Sequence, residues 1–289
     1  MPGKGTEPES CRQWRLWLSL STTPRHTDKP KSQFPHRPIN TLTDFLLFVA
    51  VGFAAQLIDG AIGMAYGLVS TTVLLSLGIT PVTASASVHA AEVFTTGASG
   101  LSHWRFRNVD WAVVRRLALP GMVGGGIGAY ALSSVDGDMI RPIVSVYLAL
   151  MGLWIISKAL RRRRFEEKQP RFVGLVGFAG AFFDAIGGGG WGPIVTSTMV
   201  GQGARPRIAI GSTTTAEFFV TVVISATFIT TIGLELWPII LGLIVGGILA
   251  APFSAYLVSK LPDRPMMIMV GVLISILAIR EVMRSLDLG

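Results

Sequence analysis

From Thr41 onward the chain is a succession of apolar stretches separated by short polar or glycine-rich breaks. They fall at about 42–58, 64–78, 82–103, 112–133 and 139–160, and then at 172–186, 191–203, 207–232, 237–259 and 264–284. Most match the roughly 20 residues that a helix needs to cross a bilayer, and the charges lie between them. The pattern therefore predicts an all-α polytopic membrane protein. The first two stretches of each set of five are short. As a helix, 191–203 would rise only about 20 Å, against a hydrocarbon core of about 30 Å. Glycine clusters join each short pair, Gly60 to Gly67 and Gly187 to Gly192. Broken or re-entrant helices are expected at the start of each set.

The two sets are related in sequence. A shift of 125 positions aligns Val51–Thr96 with Val176–Thr221 without a gap, about a third of the pairs being identical. Val51-Gly-Phe-Ala54 matches Val176-Gly-Phe-Ala179, and Asp59 matches Asp184. Gly63 and Gly67 fall on Gly188 and Gly192, Tyr66 on Trp191, Pro81 on Pro206, Ser87 on Ser212 and Glu92 on Glu217. Shared acids inside apolar segments are not explained by hydrophobicity alone. The expected organisation is a polar, basic, disordered tail over 1–41, a membrane repeat over 42–160, a basic connecting loop over 161–171 and a second repeat over 172–285.

Composition agrees with a membrane protein: half the residues are hydrophobic and 15% charged, against about 25% in soluble domains. The net charge of +8 does not point to nucleic acid, because the basic residues sit beside apolar segments in the manner of topology determinants. They gather in the tail, at Arg105, Arg107, Arg115 and Arg116, and between Lys158 and Arg171. With the 161–171 loop in the cytoplasm, five crossings per half also put Arg105, Arg107, Arg205, Arg207, Lys260 and Arg264 inside, and the halves are inverted. The basic tail then lies outside, against the positive-inside tendency. A parallel arrangement keeps the tail inside but places Arg205 and Arg207 outside. The loop charges favour inversion. Cys11 is the only cysteine, which excludes an intramolecular disulfide and a multi-thiolate metal centre.

Charge at membrane depth is expensive, about 2.5–3.5 kcal/mol per residue on insertion scales, and marks candidate function. Four acids qualify: Asp59 and Asp184 beside the glycine breaks, and Glu92 and Glu217 midway along the third segments. Ser85, His89, Glu92 and Thr96 share one helix face, and Thr214, Glu217 and Thr221 share the corresponding one. Asp59 and Asp184 could equally cap backbone N–H groups at a helix break. His89 has no counterpart, Thr214 standing in its place, and both a proton-carrying and a structural role are open to it. Glycine breaks at matching places in two halves are the strongest sequence pointer to a transporter's solute site. Gly187, Gly189 and Gly192 fit G-x-G-x-x-G only by accident, since no strand–helix unit surrounds them. Gly121, Gly125 and Ala129, with Gly242, Gly246 and Ala250, repeat every four residues, which reads as close helix packing. No histidine pair at ligand spacing, nucleophile elbow or Walker sequence is present, so no enzyme, catalytic residue, metal or cofactor is expected.

The set Val51-Gly-Phe-Ala-Ala-Gln-Leu-Ile-Asp-Gly60, Gly63, Thr80-Pro-Val-Thr-Ala-Ser85 and Glu92 is answered by Phe183-Asp-Ala-Ile-Gly-Gly-Gly-Gly-Trp-Gly192, Ile210-Gly-Ser-Thr213 and Glu217. Over about residues 42–284 it resembles the sulfite exporter TauE/SafE-like family of membrane permeases. The resemblance implies a multi-pass cell-membrane carrier of sulfite, sulfonates or related small anions, working by alternating access. No Lys or Arg lies in the first three segments, so Gly60, Gly63, Ser87, Gly188, Gly189, Ser212 and Thr213 are the substrate candidates. Asp59, His89, Glu92, Asp184 and Glu217 are the coupling or proton candidates, since burial and a bound anion both favour a neutral carboxyl. The expected partners are a small anionic solute, the lipid bilayer and, as an open option, a second copy of the chain, with no nucleic acid. A cation carrier using the acids, a membrane assembly or sensory protein and an intramembrane enzyme are the alternatives.

Overall fold

The computed structural model describes residues 42–160, 171–257 and 263–285. The predicted tail, the Trp14–Leu20 run, Cys11, Lys260 and nearly all of the connecting loop lie outside the described residues. Within them are ten α-helices and no strand: α1 (Leu42–Ile62), α2 (Tyr66–Ser76), α3 (Pro81–Arg105), α4 (Trp111–Ser133), α5 (Gly137–Leu160), α6 (Val173–Gly187), α7 (Ser197–Gly201), α8 (Pro206–Thr231), α9 (Trp237–Leu257) and α10 (Asp263–Ser285). These follow the ten apolar stretches. One detail differs: 191–203 is not a single short α-helix but a π-helical turn over Gly192–Thr196 running into α7. Pro193 removes an N–H donor from that turn, and the Ser197 hydroxyl donates to the Pro193 carbonyl.

Local chemistry sets the helix starts. Pro81 and Pro206 begin α3 and α8, where a missing N–H costs nothing. The Thr80 hydroxyl accepts from Thr83 N–H at 3.4 Å, and the Asp110 carboxylate caps α4 by accepting from Ala112 and Val113.

Apolar side chains cover the outside as well as filling the core, and polar groups are buried among the core residues. Leu46, Leu119, Ile127, Ile143, Leu150, Leu249 and Ile276 face outward, whereas Ser70, Ser85, His89, Glu92, Thr213 and Asp184 are buried. Leu42–Gly60, Met139–Leu160 and Pro206–Thr231 are long and apolar enough to cross a membrane alone. Helix α3 is 25 residues long but carries a buried file of Ser, Thr, His and Glu.

Helix pairing follows one scheme. α1 packs on α9 as α6 packs on α4; α3 packs on α8, α5 on α10, and α9 on α3 as α4 on α8. Glycines make these approaches close. Gly52 lies against the Leu243 backbone, and Gly177, 125 residues on, lies against the Leu117 backbone. Gly247 faces Tyr66 and Thr95, while Gly121 faces Trp191 and Val220. Gly125 meets Ile224, and Gly246 meets the Val49 carbonyl. Two pairs of helices run antiparallel. Gly100 meets Thr215 and Gly97 meets Phe218, while the His89 and Phe228 rings lie 6.2 Å apart, so α3 opposes α8. Gly152 meets Gly271 and Arg141 reaches Glu281, so α5 opposes α10.

The loops collect at two ends. Arg171 N–H donates to the Gln202 side chain at 2.5 Å, Arg207 to the Phe106 carbonyl at 3.2 Å, and Asp110 N–H to the Ser212 hydroxyl at 2.8 Å. At the other end the Thr231 hydroxyl bonds Ser133 at 3.0 Å, and Arg141 donates to the carbonyls of Leu75 and Ile79. Arg105, Arg107, Arg171, Arg205 and Arg207 thus share the first end.

Candidate functional site

The two helix breaks are built alike. In the first, Gly63 takes φ +68°, its N–H donates to the Asp59 carbonyl at 2.5 Å, and Asp59 Oδ1 accepts from Ala65 N–H at 2.8 Å and Tyr66 N–H at 3.3 Å. In the second, Gly188 takes φ +64°, its N–H donates to the Asp184 carbonyl at 2.6 Å, and Asp184 Oδ1 accepts from Gly190 N–H at 2.6 Å and Trp191 N–H at 3.0 Å. Glycine is required at both positive-φ positions. Each aspartate thus satisfies orphan amides where the chain restarts as helix.

The breaks also touch each other. A Cβ on Gly67 would come within 2.8 Å of the Gly188 carbonyl oxygen, 2.9 Å of Glu92 Oε1 and 2.9 Å of Gly189 Cα, and one on Gly192 within 2.7 Å of the Gly63 carbonyl oxygen. The Thr71 hydroxyl donates to the Gly188 carbonyl at 2.6 Å, while the matching Thr196 packs on Gly63. Between the breaks lies a cavity of about 10 Å³, lined by Asp59, Glu92, Asp184 and Glu217 together with Tyr66, Gly67, Gly189, Gly192 and Pro193. That volume holds about one water-sized species, so the site is closed to anything larger in this conformation.

The structure therefore brings Asp59, Glu92, Asp184, Glu217 and Gly189 to one cavity, with Gly63 and Gly188 at the turns beside it and His89 behind it. His89 is fully buried, and its Nε2 lies 3.2 Å from Asp184 Oδ2 and 3.8 Å from Glu92 Oε2. Gly60, Ser87, Ser212 and Thr213 stand apart from the lining. The Ser87 hydroxyl donates to the Thr83 carbonyl at 2.7 Å within its own helix, and Ser212 holds Asp110. The Thr213 hydroxyl meets that of Thr196 at 2.9 Å and its carbonyl accepts from the Trp191 indole at 3.1 Å. Sequence reasoning missed Tyr147, whose buried hydroxyl lies against Gly190 and makes no hydrogen bond. It also missed the ion pair of Arg141 with buried Glu281 at 2.9 Å. A tyrosine and a glutamate within apolar segments were the available signals.

An apolar exterior around glycine-broken helices that carry buried acids defines a multi-pass membrane protein. The chain belongs to the sulfite exporter TauE/SafE family, whose sequence profile matches residues 48–281. It is also 42% identical over 236 residues to the probable membrane transporter protein YtnM of Bacillus subtilis (strain 168), covering 78% of each chain. No solved structure matches it. The protein is accordingly a membrane transporter of the permease type.

Proposed function

We propose that this chain is a secondary transporter that moves a small anion, such as sulfite, a sulfonate or a related organic anion, by alternating access between two inverted halves, 42–160 and 172–285. The observation that carries the reading is the contact of two like-built helix breaks around one cavity ringed by four carboxyls. The antiparallel pairing of α3 with α8 and of α5 with α10 supports inversion, because helices 125 residues apart in two parallel halves would not oppose each other in this way. The end bearing Arg105, Arg107, Arg171, Arg205 and Arg207 is the cytoplasmic end by the positive-inside rule.

The cavity lining contains no Lys or Arg. Two like charges about 5 Å apart repel by about 3 kcal/mol at an effective dielectric constant of 20. An anion therefore enters only with the acids neutralised, which couples it to protons. Asp59 and Asp184 are engaged with the backbone, so Glu92 and Glu217 are the proton carriers in this reading, and His89 links Asp184 to Glu92. Gly63, Gly188 and Gly189 shape the solute site; Gly60, Ser87, Ser212 and Thr213 support it from the adjoining turns. Opening the site requires the breaks to part, which alternating access supplies.

The acid-rich lining favours a second reading, a cation carrier. Proteoliposomes on a solid-supported membrane separate the two when challenged with sulfite, thiosulfate, sulfonates and carboxylates and, separately, with alkali cations. Anion-dependent current that grows with an inward proton gradient is expected. Cation current without any anion response would establish the second reading, and no current together with no uptake of labelled solute would remove transport of these solutes altogether.

A further inference from the structure

We propose that His89, Glu92 and Asp184 form a binding site for a divalent transition-metal cation of the zinc type. The first argument is the tautomer. His89 Nδ1 lies 2.8 Å from the Ser85 carbonyl oxygen, which can only accept, so Nδ1 carries a proton. The Ser85 hydroxyl, 3.2 Å from the same nitrogen, already donates to the Ala185 carbonyl at 2.6 Å. Nε2 then turns toward Asp184 Oδ2 at 3.2 Å and Glu92 Oε2 at 3.8 Å.

Three electron-rich atoms converge there, all within 4.8 Å of one another. Glu92 is 2% exposed and its Oε2 makes no hydrogen bond. Such a point demands a positive charge. A tetrahedral ion with bonds of about 2.0–2.2 Å holds its ligand atoms about 3.3–3.6 Å apart; the two separations from Nε2 bracket that spacing, and the two carboxylate oxygens, within 4.8 Å of each other, would close on the ion as it binds. Imidazole beside two carboxylates suits zinc and its neighbours better than a hard, oxygen-seeking cation. The outer contacts are those of a built site. The Ser85 carbonyl orients the imidazole, and the amides of Gly190 and Trp191 hold Asp184 Oδ1, so that Oδ2 faces His89 Nε2 at 3.2 Å, where an ion would come between them. Three protein ligands leave a fourth position open toward the cavity.

Sequence spacing could not reveal this set, because two ligands come from α3 and one from α6. Thr214 replaces the histidine in the second half, so the site occurs once per chain. An ion there would tie α3 to α6. Its effect on the transport cycle, an arrest, rests on the transporter reading; its binding does not.

The test uses the full chain, tag-free and chelator-stripped in detergent, in a Cys11→Ser background, titrated with Co²⁺ and followed by visible absorption. One Co²⁺ per chain is expected, with the intense spectrum of a four-coordinate ion and displacement by Zn²⁺. His89→Gln should weaken binding by more than about 100-fold. His89→Cys, which keeps a ligand, should retain binding and add a sulfur-to-metal charge-transfer band, so a folding defect at position 89 cannot pass for loss of the ligand. No binding tighter than about 1 mM, the weak spectrum of a hydrated six-coordinate ion, or equal binding by His89→Gln would overturn the site. The last outcome would place the ion on the other histidines. Metal binding without solute current would count against transport alone, and solute current without metal binding against the metal site alone.

Discussion

Replacing Gly67 by alanine probes the contact between the two helix breaks with a single methyl group. Its three nearest neighbours would be the Gly188 carbonyl oxygen, Glu92 Oε1 and Gly189 Cα, at 2.8–2.9 Å. Ordinary contact for such atoms begins near 3.5 Å, so the breaks must separate by about 0.6 Å. Two of the three neighbours are backbone, and no rotamer change relieves them. Overpacking of this kind costs about 1–3 kcal/mol, or about 5- to 150-fold in the population of the closed state. The bundle should survive, because the clash is confined to the centre. Gly126→Ala is the control: its nearest neighbour, Val223 Cγ1, lies at 3.4 Å, and alanine favours the helix by up to about 1 kcal/mol. Proton-driven sulfite accumulation in proteoliposomes should fall at least about fivefold for Gly67→Ala and stay unchanged for Gly126→Ala, with both proteins monodisperse in detergent. A Gly67→Ala protein accumulating sulfite at the wild-type rate would show that close approach of the breaks plays no part in the cycle.

Glu92→Gln and Glu217→Gln should preserve sulfite exchange between two loaded compartments while eliminating accumulation driven by a pH gradient; equal loss of both activities together with protein yield would return the acids to a structural role. Glu281→Ala leaves the Arg141 guanidinium, about a fifth exposed, without its carboxylate. Thermal unfolding in detergent should reveal a loss of about 1–3 kcal/mol, less than for a fully buried pair, largely restored in Arg141→Leu/Glu281→Leu; a wild-type midpoint for Glu281→Ala would refute the pair's contribution. For topology, Phe106→Cys and Thr231→Cys in a Cys11→Ser background sit 125 residues apart at the C-terminal ends of α3 and α8. Inversion requires an impermeant thiol reagent in intact cells to label position 231 and not 106, whereas labelling of both or of neither means parallel halves.

The ten apolar stretches, the glycine breaks and the four intramembrane acids were legible in the chain itself. Hydrophobic runs of bilayer length, glycine at positive φ and charge in an apolar segment are each dictated by strictly local physics. The 125-residue shift pairs Asp59 with Asp184, the two carboxylates that bind the amides of the breaks. Sequence could not decide whether those aspartates carry solute chemistry or bind amides, since capping depends on where residues six and seven positions onward return. Nor could it expose the π turn at Pro193, the turning of the Ser87 and Ser212 hydroxyls away from the cavity, or the Arg141–Glu281 pair spanning 140 residues. Only packing brought His89 of α3 against Asp184 of α6, because a bundle chooses neighbours by the fit of glycine-lined faces, and that choice is absent from any single helix.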